Sequence, residues 1–226
     1  MHRHFEDAEE ELKKRLLRMG GLVEDMLSYA GKGLLEKDET VLKKVYETEA
    51  EVNRLHIELD DRALKLIALH QPAAADLRFT VACIKINSDL ERIGDQAMNI
   101  AQNTEIFLKR PPLAYNFVVL PRMVELAGSM LKNSLDAFVG KNVELAGAVL
   151  SSDTEEDRLK SAVFHAVMGL MQNDASTVQS ALCIMLIARN LERIADHATN
   201  ISEDVIFMVR GTDVRHHSGG TGKPQP

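Results

Sequence analysis

Apolar residues recur at helical spacing in long tracts that proline residues separate. In the first tract, apolar side chains stand three or four positions apart from Leu12 to Leu34. A polar interruption at residues 36–39 precedes a second tract, which ends at the HQPAAAD turn around Pro72. A proline inside a helix costs roughly 3 kcal/mol, so the prolines mark where helices begin or end. The pattern therefore predicts one helix on each side of the polar interruption.

The rest of the chain predicts four further helices. The third has Asp76 as its predicted N-cap, and the fourth has Pro121 in its first turn. Asn173 or Asp174 is the predicted cap of the sixth helix. The third helix is predicted to end before Pro111 and Pro112, and the fourth near Val139. The fifth is predicted to end near Met171 and the sixth near Gly211. The chain is therefore predicted to be all-α.

Composition supports this fold class and limits the function. Aromatic residues make up only 4% of the chain, there is no Trp, and residues with high helix propensity dominate. The longest apolar run, residues 181–188, is far shorter than the roughly 20 residues that cross a bilayer, so we predict no membrane insertion. The net charge of −7 argues against binding to nucleic acid. The acidic N-terminal segment lacks a signal-peptide pattern, which predicts a cytoplasmic location. Cys83 and Cys183 each lie in an apolar helical stretch, and we predict that both are buried in the core.

An internal repeat is the clearest feature of the sequence. DLERIGDQAMNIAQ, from Asp89, aligns with NLERIADHATNISE, from Asn190, at an offset of 101 residues. Upstream of these segments the two halves align at an offset of 104 residues. The repeat predicts two pseudo-symmetric three-helix bundles, residues 1–110 and 116–211, followed by a disordered tail at 212–226. A continuous up-and-down array of six helices is the alternative.

Oxygen-bearing side chains spaced four residues apart recur in both halves. This spacing places two side chains on one helix face, one turn apart. Like charges so placed destabilise a helix by roughly 0.2 to 0.5 kcal/mol, which favours a compensating cation. Oxygen ligands suit iron, manganese, magnesium or calcium. The pairs are Glu91 with Asp95, Glu192 with Asp196, Asp153 with Asp157, and Glu49 with Asn53.

Spacing alone leaves a second interpretation of these pairs open. Glu91 and Asp95 fall opposite the apolar stripe of their helix, where solvated charges usually lie. Arg92 and Arg193 could form surface ion pairs with carboxylates of a neighbouring helix. His197 replaces Gln96 of the first repeat, either as an ordinary partly buried histidine or as a further metal ligand.

Motifs of common enzymes are missing from the sequence. The Glu-x-x-His pairs of ferritin-like di-iron sites do not occur, and neither does a GxSxG nucleophile elbow or a Cys/His signature. We therefore predict that the protein is not an enzyme.

The motif HQPAAADLR is followed by DLERIGDQAMNIA, which recurs in reduced form as NLERIADHATNIS. With these motifs the chain resembles the PhoU family of phosphate-signalling proteins over about residues 5–210. The resemblance implies two three-helix bundles related by pseudo-twofold symmetry. It also implies E/DxxxD motifs that hold multinuclear iron or zinc clusters on the surface. Three of the four pairs above match these motifs, whereas Glu49 is followed by the neutral Asn53, which implies a weaker or smaller cluster in the first half.

The same resemblance implies a function. It suggests a cytoplasmic negative regulator of phosphate uptake and of the phosphate-starvation response. Such a protein is an adaptor between the ATPase subunit of the phosphate ABC transporter and a sensor histidine kinase, and it forms a homodimer. Two alternatives remain: a metal-dependent enzyme that uses the carboxylate pairs for phosphate or redox chemistry, and a helical scaffold that binds no metal.

Overall fold

The protein consists of long α-helices, as the apolar periodicity predicts. The computed structural model describes residues 2–111, 113 and 118–214, with side chains from residue 5 onward, and this part of the chain contains no β-strand. A 3-10 turn at Ala175–Thr177 precedes the last helix. Asp174, one of the two predicted caps of the sixth helix, caps this turn instead, and Thr177 occupies the cap position of the helix without a side-chain hydrogen bond. The helices are α1 (His2–Glu36), α2 (Glu39–His70), α3 (Ala74–Leu108), α4 (Val119–Gly140), α5 (Val143–Asn173) and α6 (Val178–Arg210).

Side-chain caps and one glycine fix several helix ends. Asp38 Oδ1 accepts a hydrogen bond of 2.8 Å from the backbone N–H of Thr40 and so caps α2. Asn142 Oδ1 accepts one of 3.0 Å from the N–H of Leu145 at the start of α5. At the end of α6, Gly211 adopts a left-handed φ of 71°, which suits glycine.

The predicted N-cap of the third helix is wrong. α3 begins at Ala74, and Ala73 occupies the cap position without a side-chain hydrogen bond. Asp76 instead lies in the first turn, where its negative charge interacts favourably with the helix dipole. Pro72 ends the link from α2, and the backbone N–H of Asp76 donates to the backbone oxygen of Ala73 at 3.2 Å as the first turn forms.

The six helices form the two predicted three-helix bundles rather than a continuous array. α1, α2 and α3 contact one another, and so do α4, α5 and α6. The two bundles meet where α3 packs on α6 and α1 packs on α4. The result is one layer with the order α2, α3, α6, α5 and a second layer of α1 and α4. The predicted bundle limits at residues 110 and 116 and the tail at 212–226 lie partly outside the described residues and stay predictions.

Apolar side chains of both bundles form one hydrophobic core. Cys83 and Cys183 are both buried, as predicted. Within the described ranges, no helix combines the length and the apolar character that a membrane span requires.

The antiparallel contact between α1 and α4 depends on glycine. A methyl group at Gly20 would lie 2.8 Å from Leu135 Cδ1, and one at Gly31 would overlap Val124 Cγ1. At the offset of 104 residues, Gly20 is equivalent to Val124 and Gly31 to Leu135. Gly20 and Gly31 therefore each receive a branched side chain of α4, in a pattern that obeys the pseudo-twofold symmetry.

Polar side chains join α3 to α6. Asp89 Oδ1 accepts a hydrogen bond of 2.8 Å from His197 Nδ1 and one of 3.2 Å from Asn200 Nδ2. Nearer the start of α3, Lys85 Nζ donates to Asp204 Oδ1 at 3.0 Å. These pairs fix the antiparallel register of the two helices. We call them the α3–α6 seam.

Glu156 of α5 is a buried carboxyl group. Its side chain is fully buried, and neither oxygen has a hydrogen-bond partner among the described residues. Burial, with repulsion from Glu155, Glu192 and Asp153, raises the pKa of Glu156 to about 8. At the same position of the first repeat stands the buried Val52. An apolar side chain therefore fits this place in the other bundle.

Gly31→Ala is expected to destabilise the protein, whereas Gly21→Ala is expected to stabilise it. Alanine in place of a mid-helix glycine normally gains about 1 kcal/mol, and a methyl group at Gly21 has open space around it. At Gly31 the same methyl group must displace Val124, which offsets this gain and costs about 1 to 3 kcal/mol. Urea unfolding of both variants measures the difference. Equal stabilisation by both would contradict a close α1–α4 contact.

The free energy of unfolding is expected to fall as pH rises from about 4.5 to about 8, because Glu156 ionises near 4.5 when unfolded but near 8 when folded. Glu156→Val removes this contribution and should stabilise the protein at pH 8 by roughly 2 to 4 kcal/mol. Urea unfolding in EDTA at pH 5 and pH 8 measures the effect, with Glu156→Gln as the control that keeps the side-chain shape. A pH dependence in Glu156→Val as steep as in the unmutated protein would show that this carboxyl is not responsible.

Candidate carboxylate sites

The carboxylate pairs form two rows on the four-helix layer. The first-repeat row is Glu49 and Asn53 of α2 with Glu91 and Asp95 of α3. The second-repeat row is Asp153 and Asp157 of α5 with Glu192 and Asp196 of α6. Because α2 contacts α3 and α5 contacts α6, each row lies along a groove between two adjacent helices. The spacing of four residues therefore produces, in each bundle, one set of oxygen donors from two helices.

The second-repeat row concentrates negative charge. Burial and repulsion from Glu192, Asp153 and Asp157 raise the pKa of Asp196 to about 6. Burial and repulsion from Asp157 and Glu192 also raise the pKa of Asp153. All four carboxylates are thus close enough to repel one another, and a cation placed among them would relieve this repulsion.

The chain itself supplies one such cation. Lys160 Nζ donates hydrogen bonds of 2.7 Å to Asp157 Oδ1 and of 2.7 Å to Glu192 Oε1, and so bridges α5 and α6. Burial acts to lower the pKa of Lys160, but the two hydrogen bonds outweigh it and raise the pKa above its ordinary value. Sequence reasoning missed Lys160. Its position three residues after Asp157 on the same helix face could have revealed it.

No ion pair between described residues brings such a cation to the first-repeat row. Asn87 Nδ2 donates to the backbone oxygen of His56 at 3.0 Å and fixes α2 against α3. A methyl group at Gly94 would lie 3.5 Å from Val52 Cγ1, so the helices approach each other beside Asn53 and Asp95. Among the described residues, no hydrogen bond or ion pair involves a side chain of this row. The charge of its carboxylates is therefore not neutralised by a neighbouring side chain.

The two rows differ at one equivalent position. At the offset of 104 residues, His56 of α2 corresponds to Lys160 of α5. His56 Nδ1 is buried without a hydrogen-bond partner in the described part of the chain, and Nε2 lies 3.9 Å from Asp60 Oδ2. The second-repeat row thus has a fixed ammonium group where the first has an imidazole.

The oxygen donors of the rows are of a type that binds cations, but their positions do not enclose a single binding point. Carboxylate and amide oxygens are ligands for hard and borderline metal ions. However, in the part of the chain that the structure describes, no three His, Cys, Asp or Glu side chains converge on one point. Metal binding therefore requires side-chain rotation, and in the second-repeat row it also requires Lys160 to move. Metal ligation by the rows stays a prediction.

His197, Arg92 and Arg193 are further candidates, and the structure places all three outside the two rows. His197 is buried in the α3–α6 seam, where its Nδ1–H must donate because the Asp89 carboxylate can only accept. It is therefore a structural histidine and lies outside the rows. Arg92 and Arg193 are exposed, and none of the ion pairs between described residues includes them. The ion pair of the second-repeat row is made by Lys160 instead.

Comparison with known proteins identifies the repeat. The PhoU domain matches this chain twice, at residues 16–104 and 120–205. Each match covers most of one three-helix bundle.

Similar proteins agree over nearly the whole chain. A "Phosphate-specific transport system accessory protein PhoU homolog" of Pseudomonas putida is 36% identical over 92% of this chain and 81% of its own length. The "PhoU homolog 1" of Thermotoga maritima is 32% identical over 97% of this chain and 94% of its own length.

Solved structures agree as well. The crystal structure of PhoU from Pseudomonas aeruginosa superposes with a TM-score of 0.89 at 33% identity, and covers 92% of this chain and 100% of its own. The phosphate transport system regulatory protein PhoU from Streptococcus pneumoniae gives 0.86 at 29% identity, and covers 93% of this chain and 99% of its own. These names describe accessory and regulatory proteins rather than enzymes, in agreement with the prediction from the sequence. Two matched domains, relatives more than 30% identical along almost the entire chain, and a shared six-helix fold show that this chain belongs to the PhoU family.

Proposed function

We propose that this protein is a regulatory accessory component of phosphate transport that represses phosphate uptake and the phosphate-starvation response when phosphate is plentiful. The observation that supports this most is the similarity to phosphate transport accessory and regulatory proteins across both repeats. A match to one bundle alone would support only a shared domain. The match to both bundles and to their arrangement supports a shared role.

We further propose that the protein acts as an adaptor. In this proposal it is a cytoplasmic homodimer that contacts the ATPase subunit of the phosphate ABC transporter and a sensor histidine kinase. Exposed apolar side chains on the helical surface support such contacts. Ile57 and Leu64, seven residues apart on α2, share one face and are 71% and 62% exposed. Leu69, on the last turn of the same helix, is 77% exposed.

The carboxylate rows are the proposed sites of multinuclear iron or zinc, with manganese or magnesium as other candidates. The mutual repulsion in the second-repeat row and the unneutralised carboxylates of the first-repeat row support this assignment. A bound metal ion would supply positive charge that links α2 to α3 and α5 to α6. The protein side chains would hold it through carboxylate oxygens, with Asn53 as a neutral donor in the first-repeat row.

The two alternatives have less support. A metal-dependent enzyme would be the exception among the relatives, whose names describe accessory and regulatory proteins. A scaffold that binds no metal would leave the repeated rows without a role. Variants of the rows distinguish this scaffold from the proposed metal-binding regulator.

Loss of the protein is expected to derepress phosphate uptake. In its host, deletion of the gene should raise phosphate accumulation and the activity of a phosphate-starvation reporter several-fold in phosphate-rich medium. The intact gene supplied in trans should restore repression. Unchanged accumulation and reporter activity in the deletion strain would contradict the proposed regulatory role.

Protein purified without chelator or added metal is expected to carry several equivalents of iron or zinc. Asp95→Asn combined with Asp196→Asn removes one carboxylate from each row and should abolish most of this content, as measured by elemental analysis. Asp61→Asn combined with Asp136→Asn is the matched control. Both control residues are surface carboxylates that pair with a lysine one turn away, outside the rows. Equal metal content in the two double variants would show that metal binds elsewhere.

A further inference from the structure

The second-repeat row contains both an internal cation and an extra buried carboxyl group. Lys160 Nζ lies 2.7 Å from one oxygen each of Asp157 and Glu192, and only 24% of the Lys160 side chain is exposed. Behind this pair, Glu156 is fully buried, has no hydrogen-bond partner among the described residues, and feels the charges of Glu192 and Asp153. The position of the ammonium group is therefore fixed by two carboxylates on two different helices, inside the row itself.

We propose that Lys160 is an internal counter-cation that competes with a metal ion for the second-repeat row and so lowers the affinity of this row for metal. This inference rests on the proposed metal binding by the rows. It adds that the two rows differ in their affinity for metal, because Lys160 lies in the second-repeat row and no ion pair between described residues brings an ammonium group to the first. Lys160 is thus a residue that determines affinity rather than a ligand.

Competition follows from the positions of the charges. Asp157 and Glu192 each offer Lys160 an oxygen that a metal ion in this row would also use. An ammonium group left at this place would lie within a few ångströms of a divalent ion, and the two positive charges would repel each other strongly. Metal binding must therefore release Lys160 from both carboxylates. Its flexible four-carbon stem allows the ammonium to swing towards water.

The first-repeat row provides the internal comparison. His56 occupies the position equivalent to Lys160, and none of the hydrogen bonds or ion pairs of the described residues links it to Glu49, Glu91 or Asp95. An imidazole, unlike the ammonium group of a lysine, carries no permanent positive charge that would repel a metal ion. Exchange of these two residues between the repeats should therefore move the competition from one row to the other.

Mn²⁺ binding to protein stripped with EDTA tests the proposal, measured by calorimetric titration. Each row is isolated by disabling the other: Asp95→Asn leaves the second-repeat row intact, and Asp196→Asn leaves the first-repeat row intact. In the Asp95→Asn background, Lys160→Gln is expected to lower the Kd for Mn²⁺ by about tenfold or more. In the Asp196→Asn background the same change should leave the Kd within about twofold, since Lys160 is not part of that row.

The reciprocal variant is His56→Lys. In the Asp196→Asn background it is expected to raise the Kd of the first-repeat row for Mn²⁺ by about tenfold or more. Thermal unfolding in EDTA supplies a readout without metal. Lys160→Gln should lower Tm by a few degrees because the carboxylates lose their counter-cation, and Mn²⁺ should restore it. A variant with native helix content in circular dichroism is required for each titration.

The outcomes separate the inference from the proposed function. If the rows bind Mn²⁺ and Lys160→Gln leaves the Kd unchanged or raises it, Lys160 does not compete and the inference is wrong, while metal binding stands. If Mn²⁺ binds only after Lys160→Gln, the inference is supported in its strongest form. If Mn²⁺ binds to neither protein, both the inference and the metal sites are wrong, and the regulatory role still rests on the reporter measurement.

Discussion

The antiparallel pairing of α3 with α6 is the constraint on which the rest of the structure depends. It joins the two bundles through buried polar side chains, above all the hydrogen bonds that Asp89 accepts from His197 and Asn200. A buried carboxylate without these donors would be costly, so a shift in register of one helix against the other is penalised. The two carboxylate rows lie on the far sides of this same helix pair, where α2 and α5 pack. The seam therefore fixes where the rows stand relative to each other.

The two repeats share their architecture but differ in their charged residues. The α1–α4 contact keeps the pseudo-twofold geometry even though glycines of the first repeat stand where the second repeat has branched residues. Positions that carry charge have diverged: Val52 corresponds to Glu156, and His56 corresponds to Lys160. Equivalent backbone positions thus carry chemically different rows. If the rows bind metal as proposed, this difference gives them unequal affinities, so that they would respond to two ranges of metal concentration.

Local patterns in the sequence predict the fold well. Apolar spacing and proline positions predict six helices, because both act over a few residues. The internal repeat predicts two bundles, because equivalent sequences fold alike. The helix caps are less predictable: Asp76 lies in the first turn of α3 rather than at its cap, and Asp174 caps the 3-10 turn rather than α6.

The candidate site is less predictable for a physical reason. A spacing of four residues places two carboxylates on one face of a helix. Which side chain pairs with each carboxylate, however, depends on contacts between residues far apart in the chain. Lys160 meets Glu192 over 32 residues, and Asp89 meets His197 over 108. The sequence suggests Arg92 and Arg193 as ion-pair partners of carboxylates on a neighbouring helix, yet both are exposed and none of the ion pairs between described residues includes them. Consecutive residues on a helix point about 100° apart, so each arginine points away from the face of the glutamate beside it. Lys160, one turn away from Asp157, reaches the row instead.

Anomalous X-ray diffraction from crystals of the metal-loaded protein tests the central claim most directly, because it locates metal ions independently of any assumption about the ligands. The account predicts anomalous density in two places, between α2 and α3 beside Glu91 and Asp95, and between α5 and α6 beside Glu192 and Asp196. It also predicts that Lys160 has left Asp157 and Glu192 wherever the second place is occupied. Metal density away from both rows, or metal in the second-repeat row with Lys160 still bridging its two carboxylates, would contradict the account.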